Sequence, residues 1–401
     1  MTKTEASDNN CQHREKTIKG ADDFELGIKR NSALTYSLTT PLKGKPSGIV
    51  LVIPGFGEDS NQEYQQKLRA HIATRYNLAA VSVNYHAIQI RPATGAKISL
   101  EQDDILVLQN ALRRNNLSIQ PELGANLAAL SRVSVANNHV ETLSGSLIPP
   151  NGDYQNFGVM QAVDHLLALA DILQEFGNEE LPIIAFGSSH GGYLANLLAK
   201  FAPNTFTAVF DNSAYAAAPY NYVLGRQTNA HEFNYQESQC PNIIFKCFSL
   251  NRWTLNRNSP HFFSHDRQNI RAFYSKEHLA DMARFGNNKT QYRFIHSLTD
   301  GIAPFREKKR YSDLLKQHGF DINFKEISNH DIDGQFVKNL EHGMGLSLKK
   351  MFDHFFPTID LTKTANDFQL GSTIIYGGFL DNYVFKYDHS LVIPSVAQVD
   401  K

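Results

Sequence analysis

Along the chain, apolar residues gather into short unbroken runs separated by longer amphipathic stretches, the pattern of parallel strands buried on both faces and joined by helices. The runs are residues 48–54, 78–85, 181–186, 205–212, 291–296 and 320–327, many of their residues β-branched or aromatic. Helical spacing marks 61–75, 159–176, 193–200, 305–318 and 346–356, and in the second of these Val163, Leu166, Leu167, Leu169 and Leu173 predict a buried stripe. Two segments near the start, 24–29 and 34–39, alternate apolar with polar and predict antiparallel strands at a sheet edge. Residues 1–22 are polar and charged and predict a flexible segment.

The strand–helix rhythm breaks twice. In 86–157 the stretch Ser99-Leu100-Glu101-Gln102 resembles a capping box that opens a helix to about Arg114, whereas 131–158 is rich in Asn, Ser, Gly and Pro. The second break, 216–290, is aromatic, with Tyr220, Phe233, Trp253 and Phe263 among its residues. The predicted organisation is one α/β domain, 23–356, with a mostly parallel central sheet flanked by helices and insertions at 86–157 and 216–290. An extension, 357–401, follows, and its 368–393 alternates like one or two strands. Ligands of open α/β sheets bind outside the carboxyl ends of the strands, so both insertions are expected to overhang that edge, the second as a lid.

Composition narrows the function by exclusion. In 401 residues, Lys+Arg 39 against Asp+Glu 40 leaves a formal charge of -1 and no basic field for nucleic acid or an anionic membrane. Hydrophobic content of 42% with 20% charged residues is that of a soluble globular protein. Cys11, Cys240 and Cys247 are too few and too scattered for a disulfide framework or a zinc site, and the 16 histidines show no H-E-x-x-H spacing. Neither a secretory apolar segment at the start nor a later run of about 18 apolar residues occurs, so the expected location is the cytoplasm.

The candidate chemistry centres on Gly187-Ser188-Ser189-His190-Gly191-Gly192, where the run 181–186 ends and a helix-forming run begins. Strand, sharp turn and helix around G-x-S-x-G is the arrangement of a nucleophile elbow, in which only small neighbours let the two elements close around an exposed serine. Ser189 is the candidate nucleophile, and the N–H of His190 at the helix start faces any oxyanion formed there. Asp300, in the loop after 291–296, is the candidate acid, with Asp211 at the end of 205–212 the alternative; an aspartate in such a loop equally serves as a turn residue. Two histidines follow the last run. His342, in Glu-His-Gly-Met-Gly, is preferred because its glycines allow close approach, whereas His330 has Asp331 and Asp333 beside it as salt-bridge partners. Gly55-Phe56-Gly57 closes the run 48–54 as a glycine-rich loop.

Pro-Gly-Phe-Gly, Gly-Ser-Ser-His-Gly, His-Ser-Leu-Thr-Asp-Gly and Glu-His-Gly-Met-Gly, in the chain order Ser, Asp, His, resemble the α/β-hydrolase superfamily over about 45–86 and 157–356. Within it the resemblance is to the prolyl-oligopeptidase and dienelactone-hydrolase branches, and the Glu-His-Gly-Met-Gly ending is also similar to a bacterial family of unknown function. The long first insertion and the tail depart from the pattern. The resemblance implies an α/β-hydrolase fold and a serine hydrolase cleaving a carboxylic ester or related acyl bond of a small substrate. Ser189 would attack, His342 would act as base, Asp300 would orient it, and the backbone N–H groups of Phe56 and His190 would form the oxyanion hole. No metal or organic cofactor is implied, and no nucleic-acid or membrane partner. An acyltransferase with the same triad, a peptidase and a non-catalytic binding protein are the alternatives; no propeller-like repeats precede the catalytic region, which weighs against a peptidase.

Overall fold

The computed structural model describes Lys3–Glu5 and residues 10–399. In chain order its strands are Lys3–Glu5 (β1), Cys11–Ile18 (β2), Leu34–Pro41 (β3), Ile49–Ile53 (β4), Ala79–Asn84 (β5), Lys97–Ser99 (β6), Glu141–Ile148 (β7), Ile183–Ser188 (β8), Ala208–Asn212 (β9), Phe233–Gln236 (β10), Ile243–Ser249 (β11), Gln291–Ser297 (β12), Ile322–Ile327 (β13), Thr373–Tyr376 (β14), Asp381–Tyr387 (β15) and Val392–Gln398 (β16). The principal helices are Glu63–Tyr76 (α1), Gln102–Arg114 (α2), Leu123–Ala136 (α3), Val159–Glu175 (α4), His190–Phe201 (α5), Tyr220–Leu224 (α6), His265–Ile270 (α7), Lys276–Gly286 (α8), Phe305–Gln317 (α9) and Leu348–Phe355 (α10). Among the described residues no helix is long and apolar enough to cross a membrane.

Two compact units result. The first comprises Met1–Ile88, Asn156–Ala218 and Ser264–Lys401, and is built on a nine-stranded sheet in the order β1-β2-β3-β5-β4-β8-β9-β12-β13. From β5 through β13 neighbouring strands are parallel, while β1, β2 and β3 join antiparallel at one side. From β2 onward this is the strand order of the α/β-hydrolase fold. The parallel strands read as continuous apolar runs because both faces are covered. On one face Val50, Val52, Ile184, Phe186 and Phe210 pack against Leu68 and Ile72 of α1 and Phe352 and Phe355 of α10. Successive strand residues point to opposite faces, so Ile183 and Ala185 of β8 turn toward the side where α5 packs.

The second unit, Gln89–Gln155 with Pro219–Phe263, carries a four-stranded sheet, β10-β11-β7-β6. Its centre is a parallel pair: β7 from the first sequence break lies along β11 from the second, from Glu141 opposite Ile243 to Leu147 opposite Ser249. Arg226 crosses between the segments, its Nη1 and Nη2 donating to the two carboxylate oxygens of Asp104 at 3.0 and 2.6 Å. The two breaks in the strand–helix rhythm thus form one body. Residues 264–290, read in sequence as the end of the second insertion, instead belong to the first unit and include α7 and α8.

Other local expectations are corrected. Cys11–Ile18, assigned to a flexible segment, is a strand paired along its whole length with β3; it lies near the sheet edge, where mixed burial leaves no apolar alternation to read. Residues 24–29 form a turn closed by an isolated bridge between Asp23 and Ile28, not a strand. Helix α2 is capped by Glu101, whose N–H donates to Asp104 Oδ2 at 2.8 Å, so the capping box sits two residues later than Ser99. The stretch 131–158 contains the end of α3 and all of β7. The C-terminal strands form their own antiparallel sheet, β14-β15-β16, which buries Phe385 in a stack on Phe201 of α5 with ring centroids 4.2 Å apart.

Candidate active site

Ser189 sits between β8 and α5 with φ 56° and ψ -123°, a left-handed conformation that costs a non-glycine residue on the order of 1–3 kcal/mol. The surrounding glycines explain how the chain tolerates it. A methyl group at Gly187 would overlap the backbone of Gly191, and one at Gly191 would overlap the carbonyl oxygen of Ile53 at the end of β4. Strand, elbow and helix therefore approach at backbone distance, and the serine N–H is held by Asn212 O at 2.7 Å.

The serine Oγ donates to His342 Nε2 at 2.6 Å. On the other side of the ring, His342 Nδ1 lies 3.0 and 2.9 Å from the two oxygens of Asp300. An ionised carboxylate only accepts hydrogen bonds, so Nδ1 carries the proton and Nε2 is left as the acceptor for Ser189. Asp300 is buried, and burial pushes its carboxyl up, yet the hydrogen bonds from His342 and from the N–H groups of Ala303 and Ile302 outweigh that and hold it below the usual carboxylate range. Both of those N–H groups donate to Oδ1 at 2.9 Å. The loop that presents Asp300 is pinned by His296 Nε2 donating to Ala303 O at 2.8 Å, and is tied to the histidine loop by Ser297 Oγ donating to Leu340 O at 2.7 Å.

His190 is the first residue of α5, so its N–H has no carbonyl partner within the helix. Its imidazole is buried: burial first, and then the neighbouring His165, lower its pKa to about 3, leaving a neutral ring whose Nε2 donates to Gln161 Oε1 at 2.7 Å. Phe56, in the loop after β4, meets His190 edge to face at 5.3 Å and stacks on Phe157 at 6.1 Å. The two expected oxyanion-hole residues are thus neighbours, and the dipole of α5 points its positive end at the elbow.

The two alternatives lie elsewhere. His330 is exposed on a single helical turn after β13. Asp211 faces Lys308 Nζ and Asn196 Nδ2, the latter at 2.6 Å, and forms a buried ion pair with Lys308 rather than a contact with histidine. Asn212, Ser213 and Gln161 were missed in the sequence. The one signal for the first two was a pair of polar residues, Asp211 and Asn212, ending an otherwise apolar run. Cys11, Cys240 and Cys247 are buried thiols. Among the described residues no cluster of His, Cys, Asp or Glu is arranged to hold a metal ion.

The sequence model of a family described as "Protein of unknown function (DUF2920)" matches residues 14–388. Comparison with curated proteins gives no match. Among solved structures, the chain is similar to a thermostable esterase from Pseudomonas putida ECU1011, with 11% identity, TM-score 0.43 and coverage of 90% of this chain and 86% of that one. A cold-adapted esterase from an Arctic intertidal metagenomic library gives 11% identity, TM-score 0.41 and coverage of 89% and 98%. A puromycin-hydrolyzing peptidase of Mycobacterium tuberculosis gives 14%, TM-score 0.46 and coverage of 88% of this chain but 40% of that one.

Proposed function

The chain belongs to the DUF2920 family, and we propose that this member is a serine hydrolase that cleaves a carboxylic ester or related acyl bond through an acyl-enzyme. The observation that carries the reading is the continuous relay from Ser189 Oγ through His342 to Asp300, mounted on a positive-φ serine between a strand and a helix. Ser189 Oγ attacks the acyl carbon as His342 Nε2 takes its proton, and the carbonyl π pair moves onto oxygen, where the N–H groups of Phe56 and His190 receive it. Collapse of the tetrahedral adduct breaks the bond to the leaving alkoxide, which takes the proton from His342. Water then repeats the sequence on the acyl-enzyme and frees the acid. Asp300 stays ionised throughout and stabilises the imidazolium.

The acyl group is proposed to be short. A fluorophosphonate probe tests the chemistry: it should label the folded protein at Ser189 and leave Ser189→Ala unlabelled, and a folded wild type that resists the probe would end the proposal. A series of p-nitrophenyl esters tests the acyl group, with acetate and butyrate expected to turn over faster than palmitate.

A further inference from the structure

The nucleophile and the base of the triad come from different parts of the chain. Ser189 is carried by the β8–α5 turn, whereas His342 comes from the long loop between β13 and α10. A residue outside the triad reaches both. Asn212, at the end of β9 and 1% exposed, accepts the Ser189 N–H on its carbonyl at 2.7 Å. Its side-chain amide donates to Ser188 Oγ at 2.9 Å and to Gly343 O at 3.3 Å, the residues on either side of the reacting pair. Ser213 completes the bracket: its Oγ donates to Asn212 Oδ1 at 3.1 Å and accepts the Gly343 N–H at 3.2 Å. Both peptide groups of Gly343 therefore end on residues 212 and 213.

The bracket is itself held rigid. Ser213 has φ 56°, a conformation that persists only where its surroundings over-determine it. Asp211 accepts the Ala214 N–H at 3.0 Å and the Asn196 amide at 2.6 Å, and the buried Lys308 ammonium neutralises it from below. The Ser213 N–H is taken by Ile295 O at 3.1 Å. This turn cannot drift without breaking a buried ion pair and a sheet contact, so it is a fixed reference against which the histidine loop is measured.

We propose that Asn212, assisted by Ser213, is a positioning residue that sets the Ser189–His342 spacing by joining Ser188 and Gly343 through one side-chain amide. The proposal rests on the serine-hydrolase reading. Proton transfer between Oγ and Nε2 is sensitive to small displacements, and misplacement of a catalytic group by about 1 Å costs on the order of 100-fold in rate. Removing the amide should therefore lower the chemical step while leaving ester binding alone.

The experiment compares wild type with Asn212→Ala, Asn212→Asp and Ser213→Ala, using p-nitrophenyl acetate turnover, the second-order rate of fluorophosphonate labelling, and Tm. For Asn212→Ala the expected result is a kcat loss of roughly 10- to 100-fold with KM within about twofold of wild type, and a parallel loss in labelling rate. Asn212→Asp keeps the volume but removes both donated hydrogen bonds and sets a carboxylate against Gly343 O, so its loss should be at least as large. Should Asn212→Ala not fold, Ser213→Ala removes one acceptor and one donor without opening a large cavity and is expected to show a smaller kcat loss per folded molecule. Folded variants that retain wild-type kcat and labelling rate overturn the proposal, as does a kcat loss that appears only in variants with a lowered Tm. A wild type inert to both ester and probe overturns the hydrolase reading and this proposal with it, whereas a labelled wild type with equally reactive variants overturns the positioning role alone.

Discussion

Asp300 works against its own burial. Taking a carboxylate out of water favours its neutral form, and the carboxyl stays below its usual range because His342 and two backbone N–H groups bond the ionised form. A group whose folded pKa is depressed contributes stability above its unfolded value, about 3.9 for Asp, and loses it as pH falls through the folded value. Asp300→Asn should lower kcat by roughly 10⁴, because the amide no longer fixes the tautomer that leaves Nε2 as acceptor. The gap in Tm between wild type and this variant should narrow between about pH 5 and pH 2, since only the wild type loses an ionised, bonded carboxylate there. A gap constant over that range contradicts the depressed carboxyl. His342→Ala should abolish fluorophosphonate labelling and ester turnover alike, whereas His330→Ala, exposed on its single helical turn, should change kcat by less than about twofold.

At the scale of elements, the elbow depends on backbone contact between α5 and the end of β4. Gly191→Ala places a methyl group where the Ile53 carbonyl oxygen stands, and backbone cannot rotate aside as a side chain would; overpacking of this kind costs about 1–3 kcal/mol or more. The variant should lose stability in urea and lose turnover with it. Gly124→Ala, early in α3 with nothing within 4 Å, should instead gain up to about 1 kcal/mol from helix propensity. The same division decides what the sequence revealed. Central strands such as Ile49–Ile53 were legible because burial on both faces removes polar residues, and the elbow was legible because its glycines answer a steric demand. Cys11–Ile18 was not, since it has partly exposed residues throughout. Nor was the bracket made by Asn212 and Ser213: an amide that spans two loops leaves no periodic trace, and its partners lie 24 and 131 residues away in sequence.

Over the whole molecule, long-range pairings decide the architecture. The parallel alignment of β7 with β11 makes one unit of two distant segments, and no local pattern announces it. Within the first unit, distant parts of the chain meet at a buried ion pair. Arg271, just after α7, donates from Nη1 to Glu25 Oε1 at 2.8 Å and from Nη2 to Glu25 Oε2, and both side chains are fully buried. Tyr383 of β15 donates its hydroxyl to Glu25 Oε1 at 2.6 Å, and the Tyr193 hydroxyl of α5 donates to Arg271 O at 3.0 Å. The early turn, the C-terminal sheet and the elbow helix thereby share this cluster. Breaking a buried pair by removing one partner leaves an uncompensated charge and costs about 3–5 kcal/mol, whereas removing both charges costs far less. Arg271→Met and Glu25→Gln should each be strongly destabilising in urea, and the double variant should recover at least about 2 kcal/mol of their summed loss. Tyr383→Phe, which removes one hydrogen bond to a charged acceptor, should cost about 1.5–3 kcal/mol. Specific activity per folded molecule should hold in all four, because the elbow glycines and the triad loops keep their own contacts. If the singles add to the double within about 0.5 kcal/mol, Arg271 and Glu25 are not a coupled fastening.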